Sequence, residues 1–442
     1  MSPHPVRTLL AAALLAFAAC GTPQENPPSP NDHTTTTNHG SYQDLKSDQG
    51  RSTPDAQAKA DAVTLAQDNT AFAFDLYQRL RSQSGNLFFS PYSISSALAM
   101  TYGGARTSTQ SEMASALHFT LPQDRLHPAF NALDQELQSR ATQALTDDKR
   151  GFTLHVVDSI WGQKDHAFLP AFLDLLAENY GAGLRLLDFR TAPETARQTI
   201  NGWVSDETNA RIPELIPAGD IDTSTLLVLV DAVYFNAAWA TPFDPADTQP
   251  GPFHALDGST PTVPMMALTH DMSYGAGDGW KAVAIPYEGD QLTMVVVVPD
   301  EGRFADVESS FSAAAYQQVL ASLQPALVDL KMPKFSFSSR PDGLTGALED
   351  LGMIHAFHYP DADFSGMDGQ RILYISKVDH EGFVKVDESG TEATAATAVV
   401  MNGGAAPPSE RVSLTIDRPC LFFIQDLSSG TVLFFGRLVN PS

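Results

Sequence analysis

The chain has 442 residues, 43% of them hydrophobic and 18% charged, which supplies a sizeable core and excludes a largely disordered polymer. Twenty-seven Lys and Arg stand against 52 Asp and Glu, a formal net charge of −25, so nucleic-acid binding through a general electrostatic term is excluded as well. Two cysteines, Cys20 and Cys420, cannot build a disulfide framework, and no apolar run is long enough for a transmembrane helix.

Residues 1–20 read as an export signal. Arg7 precedes an unbroken apolar run from Leu9 to Ala19, and small residues lead into Cys20. A cysteine in that position resembles the bacterial lipobox, in which the thiol takes a lipid and becomes the mature N-terminus. An ordinary secretory signal is the alternative. Lipidation of Cys20 predicts an exported, membrane-anchored protein at the outer membrane or cell surface, and otherwise a periplasmic or secreted one. Residues 21–60 then form a polar linker. From Gly21 to Asp55 only Tyr42 and Leu45 are bulky and apolar, too few to offset the entropy of ordering, so a flexible tether is expected.

Residues 61–442 contain no second linker and no internal repeat. Helical spacing is predicted over Leu65–Arg81, Tyr92–Gly103, Gln110–Leu117, Pro128–Leu145, Pro170–Tyr180 and Pro193–Asn209. Strand patterns fall at Thr225–Phe235, Leu292–Val298, Ala326–Met332 and Thr431–Val439. Helices lead and strands follow, which argues for an α+β fold.

Signatures of catalysis are missing from this pattern. HExxH, GxxxxGK[ST], GxSxG and zinc-spaced cysteine pairs do not occur, so no catalytic group, metal or cofactor is expected. The unusual segment is Glu388 to Met401, ESGTEATAATAVVM, small and β-capable, with no proline before Pro407. Period two places Thr391, Ala393, Ala395, Thr397 and Val399 on one face, with Glu392, Thr394, Ala396 and Ala398 on the other. Glu392 needs solvent, so the Thr391 face is the one that can be buried. Taken alone, the segment also fits a flexible Ala/Thr surface loop.

The run Ile375–Val400, ISKVDHEGFVKVDESGTEATAATAVV, resembles the hinge and reactive-centre loop of the serpins. NLFFSPYSISSALAMTYGGA from Asn86, INGWVSDETNARIPELIP from Ile200, LVLVDAVYFNAAW ending at Trp239, PYEG from Pro286 and DRPCLFFIQDLSSGTVLFFGRLVNP from Asp417 resemble further serpin motifs in the right order. The resemblance covers about Val63 to Ser442. It implies mixed multi-stranded sheets, about eight to nine helices, and an exposed reactive loop at about 388–412. It also implies a serine protease inhibitor rather than an enzyme. In that family a protease cleaves the loop, is held as an acyl ester, and is carried to the far pole as the loop enters the central sheet.

Further roles follow from the same resemblance. The hinge is Glu388, Gly390, Thr391, Glu392, Ala393, Thr394, Ala395, Ala396 and Thr397, whose short side chains favour inhibition over a non-inhibitory binding or storage role. Counting from Gly390 puts the reactive bond between Gly404 and Ala405, with Val400 or Met401 as a minority alternative. Tiny residues there imply a small-pocket target, elastase-like or subtilisin-like; a cysteine protease is a further alternative. Ser90, Ser93, Asp231 and His380 fall at the shutter, where Asp231 stands in place of the family's usual Asn. Trp239 falls at the breach, and Glu388 has Lys334 as its candidate cation. Cys420 is expected to be a buried small hydrophobe. The expected partners are the target serine protease in a covalent complex and a membrane through Cys20, with no nucleic acid and a monomeric chain.

Overall fold

A computed structural model describes residues 34–146, 152–391 and 411–442; Cys20 and the 392–410 stretch lie outside the described residues. The fold is α+β, two large sheets with helices packed on them.

The first sheet has eight strands. From one edge these are Thr34–Asn38, Gln43–Ser47, Leu184–Leu187, Phe152–Gln163, Leu227–Ala238, Gly390–Thr391, Val378–Asp387 and Phe335–Ser339. Along Leu227–Ala238 the side chains alternate between two cores. Val228, Val230 and Ala232 face a small cluster with Trp161, Ile200 and Val204, where the helix Pro193–Glu207 lies on the sheet. Leu227, Leu229, Val233, Phe235 and Ala237 face the large core shared with the second sheet. That nine-stranded sheet carries the aromatic centre of the molecule, in which Tyr77 stacks on Phe435 at 4.1 Å and Phe88 on Phe434 at 5.1 Å. Cys420 is fully enclosed in it, and burial pushes its thiol up to about 12.

Ten α-helices occur among the described residues, against the eight or nine expected. The surplus consists of short pieces such as Phe304–Ser310, Leu344–Asp350 and Ser365–Asp368, too brief to show a 3.6-residue period.

The expected linker 21–60 requires a correction from Thr34 onward. Thr34–Asn38 and Gln43–Ser47 form an antiparallel hairpin that adds two strands to the sheet edge at Leu184–Leu187. The helix expected from Leu65 starts at Ala56, where Asp55 caps it by accepting from the Ala58 N–H at 2.8 Å. Its first turns bury Ala58, Ala62 and Asp61, the last of these held by Arg125, so their small or polar side chains hid the helix. Tyr42 and Leu45 are the two residues that seat the hairpin. Leu45 packs on the large core, and Tyr42 meets Trp161 edge-on at 5.3 Å. Trp161 in turn meets Trp203 at 5.6 Å, and the Arg185 guanidinium lies 4.2 Å from the Trp203 ring centre. Two apolar anchors suffice because the sheet edge satisfies the hairpin's backbone.

This placement predicts that Tyr42→Ala destabilises the protein by about 1–3 kcal/mol in a denaturant titration, because it removes a packed ring from the Trp161 cluster. Thr36→Ala, on the exposed strand, should change the midpoint by less than about 0.5 kcal/mol.

Candidate functional site

The site lies between the two central strands of the first sheet. Val378–Asp387 and Leu227–Ala238 run parallel, and they pair directly from Val378 with Leu229 to Gly382 with Val233. At the top, Glu388 and Ser389 turn the chain back. Gly390 and Thr391 then enter between the strands as a two-residue wedge, antiparallel to both. Gly390 opposes Ala238 and Asp387, while Thr391 opposes Ala237 and Val386. Only glycine fits the first position. Its φ is +154°, and an added Cβ would lie 2.1 Å from the Ala237 carbonyl oxygen.

Thr391 points into the core and is 1% exposed. Its hydroxyl shares a hydrogen bond of 2.7 Å with the Tyr287 hydroxyl. Tyr287 stacks on Trp239 with ring centres 4.7 Å apart and meets Phe235 edge-on at 5.5 Å. Its phenol is pushed far up by burial, so it remains a neutral donor at any ordinary pH. The Trp239 indole N–H donates to the Asp387 carbonyl at 2.9 Å, and the Trp239 backbone N–H donates to the Ser389 carbonyl at 3.0 Å. The returning turn is thus held by a buried aromatic pair that also closes the top of the sheet. Tyr287 lies within the Pro286–Gly289 motif, but no spacing rule assigns it this contact.

Glu388 lies on the turn itself. The Lys334 ammonium donates to its carboxylate at 2.6 Å and the Thr248 hydroxyl at 2.8 Å. Burial alone would raise this carboxyl, yet those two donors outweigh it and hold Glu388 below the ordinary range. The Lys334–Glu388 pairing expected from sequence is therefore present, and Thr248 adds to it.

Lower in the sheet, His380 and Asp231 are register partners on the two parallel strands. Both side chains are fully buried, with His380 Nδ1 2.9 Å from Asp231 Oδ2. The Ser90 backbone N–H donates to His380 Nε2 at 3.1 Å. Nε2 therefore carries no proton and Nδ1 does, which makes His380 a neutral donor to Asp231. The Ser90 hydroxyl caps the helix Pro91–Tyr102 by accepting from the Ser93 N–H. Ser93 in turn donates its hydroxyl to Asp231. Asp231 is buried beside His380. Asp158, on the neighbouring strand Phe152–Gln163, completes the group with Oδ1 3.2 Å from Ser93 Oγ. Its strand does not stand out in the sequence, so neither does its position.

The structure thus brings together Gly390, Thr391, Glu388 and Trp239 at the top, and Ser90, Ser93, Asp231 and His380 below. Glu392, Ala393, Thr394, Ala395, Ala396, Thr397, Gly404 and Ala405 lie outside the described residues. Of the loop expected at about 388–412, the described ends lie in the sheets: Glu388 is 9% exposed, Gly390–Thr391 belongs to the first sheet, and Arg411–Thr415 pairs in parallel with Gln324–Pro333 in the second.

Residues 67–441 match the family profile described as Serpin (serine protease inhibitor). An uncharacterized serpin-like protein of Thermococcus kodakarensis is 36% identical over 435 residues, which covers 98% of each chain. The human leukocyte elastase inhibitor is 36% identical over 390 residues, covering 85% of this chain and 99% of its own. Among solved structures, the thermophilic serpin tengpin in its native state superposes with a TM-score of 0.76 at 25% identity, over 89% of this chain and 96% of its own. A profile match across most of the chain, together with these relatives, shows that the protein belongs to the serpin family of serine protease inhibitors.

Proposed function

We propose that this serpin traps a serine protease of small primary pocket by offering the segment between Thr391 and Arg411 as bait. The single observation that carries this reading is the wedge of Gly390 and Thr391, already paired between the strands that must part. The protease serine hydroxyl adds to the Gly404 carbonyl. The Gly404–Ala405 bond then breaks, the new Ala405 amine takes the proton relayed by the protease histidine, and Gly404 remains as an ester. Cleavage frees the amino-terminal side of the bait to continue the antiparallel register that Gly390 and Thr391 begin. From Gly390 to Gly404 an extended strand spans roughly 50 Å at about 3.3 Å per residue, enough to carry the ester-bound protease along the side of the domain.

Insertion is downhill because the entering strand gains a ladder along each of its two sides in place of the one parallel ladder it displaces, each ladder hydrogen bond being worth about 0.5–1.5 kcal/mol net. It must also outrun hydrolysis of the ester. Short side chains at Ala393, Ala395 and Thr397 support a fast entry, since the inward face has a packed core to join. Leukocyte elastase inhibitors among the relatives support a small-pocket target. The same reading keeps Cys20 as a lipid anchor that holds the domain at a membrane surface.

Incubation with elastase-like or subtilisin-like proteases should give a covalent band of summed mass on a denaturing gel. Ala395→Arg, on the Thr391 face but outside the wedge, would force the entering strand to bury a guanidinium, at a cost of several kcal/mol, and should be cleaved without forming that band. Glu392→Arg, on the opposite face by strand alternation, should still trap protease. Trapping by Ala395→Arg at the wild-type level would defeat the insertion mechanism. Gly404→Arg should redirect inhibition to trypsin-like proteases, and mass spectrometry of the released carboxy-terminal peptide should place the cut at Gly404–Ala405. A cut after Arg411 would show the register to be wrong. Labelled fatty acid should appear on the wild-type chain and be absent from Cys20→Ser.

A further inference from the structure

Asp158 and Asp231 are directly opposed on antiparallel strands, a register in which two like charges repel. Both lie against Ser93 Oγ. That hydroxyl has one proton, and Asp231 receives it. Asp231 also receives the His380 Nδ1–H, so it is well furnished as a carboxylate. A charged Asp158 would have only a lone pair to face at Ser93, which leaves the Ser96 hydroxyl as its side-chain donor, a contact that burial and the Asp231 charge outweigh. A protonated Asp158 can donate to Ser93 Oγ, which completes an unbroken line of donors from Asp158 through Ser93 to Asp231. Burial, and after it the Asp231 charge, push the Asp158 carboxyl well above its ordinary range in the same sense. Asp158 reaches a cavity of about 100 Å³ lined by Ser96, Phe130, Asp134 and Tyr180, which gives protons a route to it.

The other groups around the pair do not substitute for that proton. Arg51 is engaged with Asp134 across the cavity. Tyr92 and Tyr180 have phenols pushed well up by burial and stay neutral. His127, hydrogen-bonded to Tyr180 at 2.8 Å, is held down to about 3 by burial and then by Arg106. Asp379 and Glu381, neighbours of His380 with the opposite strand parity, pair with Lys377 and Arg340. Neither carboxylate of the pair has a Lys or Arg partner among the described residues.

We propose that Asp158 and Asp231 share one proton through Ser93, and that parting the central strands takes up a second, so that acid opens the shutter. Parting separates His380 from Asp231, because they are partners across the strand pair that the loop enters. Asp158 and Asp231 stay together, because they lie on the same side of that opening. Asp231 then loses its Nδ1–H donor while keeping its like-charged neighbour, and proton binding to the pair tightens. The sign follows from linkage: a transition that takes up a proton is favoured as pH falls, by up to about tenfold per pH unit per proton. The coupling of opening to loop insertion rests on the trapping function proposed above. The two measurements below do not, since both use the uncleaved chain without protease.

The first is infrared absorption of the full chain at pH 7. Wild type should show a carboxylic-acid carbonyl band that Asp158→Asn lacks, and identical spectra in that region would overturn the shared proton. The second is hydrogen exchange of the Leu229–Val233 amides, corrected for intrinsic rates at each pH. Opening in wild type should rise at least about tenfold from pH 8 to pH 5, and Asp231→Asn should be flat over the same range. Asparagine is the residue that the serpin motif usually carries there, so this variant is expected to fold. A pH-independent wild type, or a slope that survives in Asp231→Asn and so belongs to His380 alone, would overturn the proposal.

Discussion

The strands Leu227–Ala238 and Val378–Asp387 are the middle of the first sheet, yet they bond directly to each other over five residue pairs only. Above Gly382 the turn at Glu388 and Ser389 spends the space between them on a wedge of two residues. Parallel pairing is slightly weaker per residue than antiparallel pairing. A third strand entering antiparallel to both would therefore exchange one weaker ladder for two stronger ones. On the trapping function proposed above, the native sheet would store that difference for as long as the chain is uncut between Thr391 and Arg411, where it rejoins the second sheet. On the same proposal, a cut between them is the event that would allow the exchange.

Two different kinds of chemistry hold the strands in their native arrangement. At the top the closure is aromatic, with Trp239 and Tyr287 stacked and the Thr391 hydroxyl already in the place a fully inserted strand would give it. Under the proposed insertion, nothing there would have to be broken. Lower down the closure is polar, and its register partners His380 and Asp231 would have to separate for a strand to enter between them. A buried hydrogen-bonded pair is costly to leave half-made, so it resists gradual opening and favours an abrupt one. On the proposed function, the arrangement would guide entry at one end and delay it at the other.

Much of this was legible in the sequence because it rests on residue types with few alternatives. Gly390 has no substitute beside the Ala237 carbonyl, and the period-two alternation that put Thr391 inward is the alternation of the strand it joins. Trp239, His380 and Glu388 are large or charged residues in motifs whose order alone suggested the fold. The missed parts are those in which the partner, rather than the sequence, makes the element. The Thr34–Ser47 hairpin is polar because the edge at Leu184–Leu187 supplies its hydrogen bonds, and Tyr42 and Leu45 alone betray it. Asp158 sits on a strand with little pattern, and its proximity to Asp231 comes from a register that no local signal encodes. Tyr287 acts through a contact 104 positions away in sequence.

The most direct test of the stored-strand account is the melting temperature of the chain before and after a single cut within residues 392–410, with both pieces retained. The account requires a rise of at least about 15 °C after the cut, because the freed segment completes the sheet and replaces the one parallel ladder at its centre with two antiparallel ones. An unchanged or lowered melting temperature would mean that the space between the central strands is not a place held for the loop.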